Sequence, residues 1–324
     1  MSVPLPRRRP FRFGVQASAP PGGFTGTADD GDRWRALARR VEDLGYAVLS
    51  VADHLDEQWA TVPALVSAAE ATTDLRLGAL VLCNDYRHPV IAAKEAATID
   101  VLSGGRLELG LGAGWMRTDY ERAGIRLDSA GERVDRLAEA VTVVTALLRG
   151  EEVRFEGEHY DIQGLVGTPR TVQRPRPPLL LGGGARRMLT LAGREADIVG
   201  LNPSLAAGVI DADAGPSATA EATEQKLRWI AEGAGDRYAE IELQTRVHVV
   251  AVTDDRGALA EVLAPNLGVS VEQALDTPHA LAGTVEEIVE QCLERRERFG
   301  LSYVTVGLDA LDAFAPVVER LAGT

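Results

Sequence analysis

Lysine is nearly absent from this chain: of its 34 basic residues only Lys94 and Lys226 are lysines, and the others are arginines. Both lysines fall in predicted helices, which disfavours a Schiff-base enzyme because such an enzyme needs a lysine in its site. Cysteine is also scarce. Cys83 and Cys292 alone predict neither a disulfide framework nor a metal cluster.

Long apolar runs and an excess of positive charge are missing too. No run reaches the length of a membrane span, and the arginines at positions 7–9 are not followed by the apolar stretch of a secretory signal. The 48 acidic and 34 basic residues leave a net charge of −14, whereas nucleic-acid binders present a basic surface. The sequence predicts a cytoplasmic protein with no nucleic-acid or membrane partner.

Short apolar runs alternate with amphipathic segments along most of the 324 residues. Eight runs are predicted as strands: residues 11–16, 47–52, 75–82, 107–111, 179–181, 197–201, 241–252 and 303–306. Eight strand–helix units predict an α/β fold, a (β/α)8 TIM barrel that spans residues 1–324 as one domain. A doubly wound open sheet is the alternative, but its glycine fingerprint is broken by Trp115.

Three segments interrupt this alternation. Residues 1–10 are predicted as a short flexible arm. Residues 151–178 are rich in proline and are predicted as an insertion with a hairpin around Gly157. Residues 203–222, a stretch of Ala, Gly and Asp, are predicted as a second insertion. Both insertions are expected to form walls of the barrel mouth.

Residues that follow the carboxyl ends of strands are the functional candidates in such a barrel. His54 follows the second strand and shares a strand face with Ser50 and Ala52, the small and polar face expected to line the lumen. The pattern therefore predicts His54 at the mouth, as a proton donor or a substrate hydrogen-bonder. A purely structural histidine is the alternative.

The fourth strand has a second polar face, with Glu108 followed by Gly110 and Gly112. A buried Glu108 needs a partner, and Arg76 or Arg12 on neighbouring strands can supply it; a structural ion pair is favoured over catalysis. The glycines are expected to thin the barrel wall, so that a flat ligand can lie against the backbone.

The run of residues 182–187, Gly-Gly-Gly-Ala-Arg-Arg, follows the fifth strand and opens a helix. Backbone N–H groups at a helix start and two arginines favour a phosphate-bearing ligand, and an ordinary turn is the alternative. The five histidines show no metal-ligand spacing, and no nucleophile or carboxylate pair stands at the strand ends. An organic cofactor is therefore expected to supply the chemistry.

Several segments together resemble one known family. They are Val51-Ala-Asp53-His54, Thr73-Asp-Leu-Arg-Leu-Gly78, Asn84-Asp-Tyr-Arg-His-Pro89, Leu102-Ser-Gly-Gly-Arg106, Gly110-Leu-Gly-Ala-Gly-Trp115 and Pro178-Leu-Leu-Leu-Gly-Gly-Gly184. With them the chain resembles the luciferase-like monooxygenase superfamily and, within it, the oxidoreductases that depend on the deazaflavin coenzyme F420 (8-hydroxy-5-deazaflavin). The resemblance implies a homodimeric (β/α)8 barrel with the cofactor ring at the carboxyl-terminal mouth.

The resemblance also implies roles for individual residues. Asp53 and His54 are expected near the ring as the catalytic pair, and a non-proline cis bond is expected at Cys83-Asn84, behind the ring. No residue is expected to bind a metal. The residues expected to bind the cofactor are Cys83, Asn84, Gly112, Ala113, Gly114, Gly182, Gly183, Gly184 and Arg186.

One departure from the family limits what can be transferred. A sugar-phosphate dehydrogenase branch has an acid/base carboxylate just after the fourth strand, where this chain has Trp115. The expected reaction is hydride transfer between F420 and a small organic substrate that the sequence does not identify. The alternatives are a two-component monooxygenase that uses FMN reduced by a separate reductase, and a non-catalytic flavin-binding protein.

Overall fold

The computed structural model describes residues 5–205, 208 and 212–324. Residues 1–4 of the predicted arm, and 206–207 and 209–211 of the second predicted insertion, lie outside the described residues. The single-domain boundary and the two insertions stay predictions. Among the described helices, none combines the length and the apolar character that a membrane crossing requires.

Strands and helices alternate along the chain, but the predicted strand 241–252 is divided into two strands that pair in different sheets, and the strand Ala280–Gly283 was not predicted. The strands are β1 Arg12–Gln16, β2 Val48–Val51, β3 Arg76–Ala79, β4 Leu82–Cys83, β5 Leu107–Gly112, β6 Glu152–Glu156, β7 Asp161–Val166, β8 Leu179–Gly183, β9 Ile198–Leu201, β10 Glu242–Arg246, β11 Val249–Val252, β12 Ala280–Gly283 and β13 Leu301–Gly307. The helices are α1 Asp29–Asp43, α2 Thr61–Ala71, α3 Pro89–Leu102, α4 Arg117–Ala123, α5 Ala130–Arg149, α6 Arg186–Glu195, α7 Ala220–Ala234, α8 Arg256–Leu267, α9 Val271–Asp276, α10 Val285–Phe299 and α11 Leu311–Leu321.

The described chain divides into two compact units. The first unit comprises Met1–Gln16, Asp43–Ala47 and Leu181–Thr324. Its strands β1, β13, β10 and β9 pair in that order, all parallel, and β11 pairs with β12 apart from them. The core of this unit includes the Phe13 ring, which packs edge-on against Phe314 with 5.5 Å between centroids.

The second unit comprises Ala17–Glu42 and Val48–Leu180. Strands β2, β3 and β5 are parallel neighbours, and β4 continues beside β5. The predicted hairpin is present, since β6 and β7 are antiparallel and join around Gly157. Trp34 is buried, and its indole N–H donates to the carbonyl of Ala64 at 2.9 Å.

The predicted ion pair of Glu108 is confirmed. Arg76 Nε lies 2.6 Å from Glu108 Oε1 at the start of strands β3 and β5, and the Glu108 side chain is buried. Arg12, the other proposed partner, pairs instead with Glu242 at 2.7 Å. Because both pairs lie at the amino-terminal ends of their strands, they belong to the end of a barrel that usually serves stability.

The third predicted strand is broken into β3 and β4 by one extra residue. Gly78 pairs with Glu108 and Leu82 with Leu111, so four steps along one strand match three along the other. A non-proline cis peptide bond lies in this bulge, at Leu80–Val81. The prediction of a cis bond at Cys83–Asn84 was therefore wrong, because the chain departs from the ladder before β4 and not after it.

The bulge also explains why two positions of β5, 110 and 112, are glycines. A Cβ at Gly110 would lie 2.0 Å from the Ala79 carbonyl oxygen, and one at Gly112 would lie 2.6 Å from Val81 Cγ2. The bulge therefore occupies the space that both glycines leave. The expectation that these glycines open a flat surface to a ligand was wrong on this side of the strand.

We expect Gly110→Ala to lower the free energy of unfolding by about 1–3 kcal/mol, because its methyl group must displace backbone. Gly31→Ala is the matched control. Its methyl group in α1 would meet only the flexible end of Arg35 at 3.3 Å, and alanine favours a helix by up to about 1 kcal/mol. Urea denaturation of both variants measures the difference. Equal stabilities would show that the bulge is not rigid.

Candidate active site

His54 is the third residue after β2 and is held by a buried carboxylate. Its Nδ1 lies 2.7 Å from Oδ2 of Asp119, whose side chain is 4% exposed while that of His54 is 19% exposed. Because an ionised carboxylate only accepts hydrogen bonds, Nδ1 carries the hydrogen. Nε2 makes no hydrogen bond with any residue that the structure describes. The imidazole therefore presents Nε2 to a ligand.

Asp119 is a functional candidate that sequence reasoning missed. It also accepts from the backbone N–H of Leu55 at 3.3 Å and from the hydroxyl of Tyr86 at 3.2 Å. It lies in the first turn of α4, four residues after Trp115, whose ring meets the His54 ring edge to face at 5.7 Å. An acidic residue in the first turn of a helix is a common stabilising feature, so it gave no distinctive signal.

The carboxylate of Asp53, the other predicted catalytic residue, accepts hydrogen bonds from other residues of the protein. Its Oδ2 accepts from Arg87 at 2.8 Å and from the backbone N–H of Cys83 at 2.9 Å. Its Oδ1 accepts from Arg87 at 3.2 Å and shares the hydroxyl hydrogen of Thr61, at 3.1 Å, with the carbonyl of Ala52, at 2.8 Å. A carboxylate has about four acceptor sites, and these four donors fill them. The geometry gives Asp53 a positioning role, and its catalytic role stays a prediction.

Cys83 lies in a buried polar cluster. Its sulfur is 3.5 Å from the hydroxyl of Tyr120, which donates to Asp85 at 2.9 Å; Asp85 in turn pairs with Arg136 at 2.7 Å. Burial raises the pKa of the Cys83 thiol to about 11, and burial also raises the pKa of Tyr120. Cys83 is therefore a thiol at neutral pH and not a nucleophile.

Asn84 and Gly114 are fixed by neighbours of the same unit. The Asn84 amide donates to the hydroxyl of Tyr160, beside the tip of the β6–β7 hairpin, at 3.1 Å. Gly114 has φ +77°, and a Cβ there would lie 1.8 Å from the Tyr120 hydroxyl oxygen. Ala113 offers its carbonyl to Arg133 at 3.2 Å. The cofactor-binding roles predicted for Asn84, Ala113 and Gly114 remain predictions, as do those of Cys83 and Gly112.

Gly182, Gly183, Gly184 and Arg186 belong to the first unit, at the end of β8 and the start of α6. Cβ atoms at the three glycines would lie 2.9 Å or less from Gly200, Met188 and Pro203 respectively, so close packing requires them. Arg186 pairs with Glu232 at 3.0 Å, and both side chains are more than half exposed. Such a pair contributes little stability. Their predicted contact with a cofactor phosphate is not tested by this geometry.

Comparison with known proteins assigns the family. The profile of the luciferase-like monooxygenase family matches residues 11–299. The chain belongs to this family. The family's members include oxidoreductases, so the chain is an oxidoreductase, as its sequence predicts.

A relative and two solved structures show the breadth of this family. The F420-dependent glucose-6-phosphate dehydrogenase of Nakamurella multipartita is 29% identical over 78% of this chain and 71% of its own length. The F420-dependent tetrahydromethanopterin reductase of Methanopyrus kandleri is 20% identical, with a TM-score of 0.74 over 97% of this chain and 98% of its own. Riboflavin lyase with modified FMN has a TM-score of 0.72 at 17% identity, over 97% and 93%. These likenesses confirm the (β/α)8 barrel.

Proposed function

We propose that the protein transfers a hydride between coenzyme F420 and a small organic substrate. The observation that carries this proposal is His54, held at Nδ1 by Asp119 and presenting Nε2 just past the carboxyl end of β2. Support also comes from the relative named as an F420-dependent dehydrogenase and from the reductase with the same fold. The substrate itself is not identified by any of these observations.

Trp115 and the loop of residues 54–59 offer groups of the kind that bind a flat heterocycle. The rings of Trp115 and His54 meet edge to face, and both His54 and the exposed Leu55 follow β2. Two side-chain atoms farther along this loop, Gln58 Oε1 and Trp59 Nε1, are buried without a hydrogen-bond partner among the described residues. A deazaflavin ring combines apolar faces with an edge of carbonyl and N–H groups, which is the chemistry that such a set of atoms can satisfy.

When bound, F420 supplies the carbon that accepts or donates the hydride. His54 Nε2 accepts the proton of a substrate hydroxyl, or returns it to a carbonyl oxygen, as the hydride moves. Asp119 keeps the hydrogen on Nδ1 and stabilises the imidazole when it becomes positively charged. Asp53 holds the loop in place through Arg87 and the backbone of Cys83.

The second candidate is a monooxygenase that uses reduced FMN. The solved structure of riboflavin lyase with modified FMN, which shares this fold, supports FMN as the alternative cofactor. This reading needs a separate reductase as partner and molecular oxygen as co-substrate. His54 would then bind the substrate or protonate a leaving group, so the same residue serves both candidates.

Titration of the purified protein with F420 and, separately, with FMN tests the choice of cofactor. We expect F420 to bind with micromolar or tighter affinity and FMN to bind at least about 10-fold more weakly, a difference of about 1.4 kcal/mol. Fluorescence of each cofactor reports the binding. Preference for FMN, with oxygen consumed on turnover, would favour the monooxygenase, and binding of neither cofactor would contradict both proposals.

His54→Ala should lower turnover by about 10²–10⁴-fold and change the dissociation constant of the cofactor little, because proton transfer is lost and not the binding surface. His54→Gln should show a similar loss, since glutamine can hydrogen-bond but cannot transfer the proton. His159→Ala, on the β6–β7 hairpin, is the control and should retain turnover. A fully active His54→Ala variant would remove His54 from the mechanism.

We also propose that the protein is a homodimer that associates through α3. Three apolar side chains of this helix, Ile91, Val101 and Leu102, are 41–51% exposed. Ile91 and Leu102 lie on the same side of α3, eleven residues apart, and exposed apolar side chains of this kind often mark association surfaces.

Leu102→Glu should convert the dimer to a monomer, because a carboxylate would be buried in the interface. Sedimentation velocity measures the mass. Val262→Glu is the matched control: Val262 is 62% exposed but lies on α8 and not on α3, so the variant should remain dimeric. A monomeric wild-type protein would contradict the proposal.

A further inference from the structure

A small cavity lies in the first unit, where α10 packs against β12 and β13. Its volume is about 10 Å³, and its wall includes Thr245 of β10, Leu281 of β12 and Leu301 of β13. Arg295 and Cys292 contribute to the wall from α10. Every residue that lines the cavity is 8% exposed or less. The cavity is therefore enclosed in the core of this unit.

Arg295 places a positive charge in this wall without a nearby negative one. Its Nη2 donates to the carbonyl of Ala280 at 2.6 Å, whereas its buried Nη1 has no hydrogen-bond partner among the residues that the structure describes. No carboxylate in the described part of the chain lies within 4 Å of the guanidinium. Asp276 and the exposed Glu294 act on it only over longer distances, and Asp276 pairs with Arg298 at 2.8 Å.

A buried charge that lacks a partner is costly for the folded state. Burial lowers the pKa of Arg295 to about 10, so the guanidinium is still charged at neutral pH and cannot avoid this cost by losing its proton. An anion taken up from solvent offsets the cost, provided that it can enter the space beside the guanidinium.

The volume of the cavity limits what that anion can be. About 10 Å³ is roughly the volume of one water-sized sphere. Phosphate, sulfate and carboxylate ions consist of several heavy atoms and are too large for it. The occupants that fit are a halide ion and a single water molecule.

Hydrogen-bonding capacity separates these two occupants. Burial raises the pKa of the Cys292 thiol to about 12, so it remains an S–H donor at neutral pH, and Arg295 Nη1 is a donor as well. The Thr245 hydroxyl is already engaged, since it donates to the Pro278 carbonyl at 3.5 Å and lies 3.3 Å from Nδ1 of His279. The rest of the wall is valine and leucine. A halide needs only donors, whereas a buried water also needs acceptors for its own hydrogens.

We propose that this cavity binds a monatomic anion such as chloride, with Nη1 of Arg295 as its main donor and the Cys292 thiol as the second. The anion neutralises the buried guanidinium, so chloride should stabilise the folded first unit. All the residues that form the site belong to this unit, and the inference depends neither on the cofactor nor on the reaction proposed above.

Thermal melting of the protein without cofactor is the first test. Chloride is titrated at constant ionic strength against gluconate, whose anion is too large for the cavity. The melting temperature of the wild-type protein should rise by about 2–4 °C from gluconate to saturating chloride, because a ligand that binds only the folded state stabilises it.

Two variants show whether Arg295 carries this response. Arg295→Met removes the charge and the N–H donors but keeps an apolar stem, and it should lose the response. Arg228→Met is the matched control, because Arg228 is an exposed residue of α7 that donates to Gln225 at 2.8 Å. This control should respond to chloride as the wild type does.

A wild-type crystal grown in bromide tests occupancy directly and does not depend on whether Arg295→Met folds. Anomalous scattering should show a bromide ion in hydrogen-bond contact with Arg295 Nη1. A crystal with only a water molecule, or with no bromide, in the cavity would overturn the inference. A folded Arg295→Met variant that keeps the full chloride response would overturn it as well.

Discussion

The buried carboxylate of Asp53 is the contact on which the arrangement of the second unit depends. Through its four hydrogen bonds it joins the loop after β2, the backbone at the end of β4, the start of α2 and the guanidinium of Arg87. Removing one partner from such a set leaves a buried charge unpaired, which is far more costly than the set's net contribution to stability. His54 is the next residue, so the hydrogen bonds of Asp53 also fix its position.

In each unit, some buried polar side chains are engaged with one another. Arg76 and Glu108 satisfy each other at the amino-terminal ends of their strands, as do Arg12 and Glu242. His54 is different, because Asp119 uses only one of its ring nitrogens. In the proposed function a bound cofactor supplies the chemistry, so what the protein provides is position, one proton site and charge.

Glycine has two distinct uses in this chain. At Gly114 the backbone adopts a positive φ that a side chain would oppose, and the Tyr120 hydroxyl fills the adjacent space. At Gly112 the reason is packing, because Val81 of the bulge takes the place of a side chain. A glycine-rich segment near a barrel mouth is therefore weak evidence for ligand contact, since close packing between strands demands the same residue.

The sequence alone was sufficient to predict most of the alternating strands and helices and the β6–β7 hairpin, because periodicity and turn residues are local properties of the chain. It predicted that Glu108 needs an arginine partner, but the structure decided between Arg76 and Arg12. The His54–Asp119 contact joins residues 65 positions apart, and the bulge at Leu80–Val81 depends on the register between β3 and β5. No local pattern encodes such pairings. Only the tertiary structure decided them, because hydrogen bonds and close packing select their partners by distance in space.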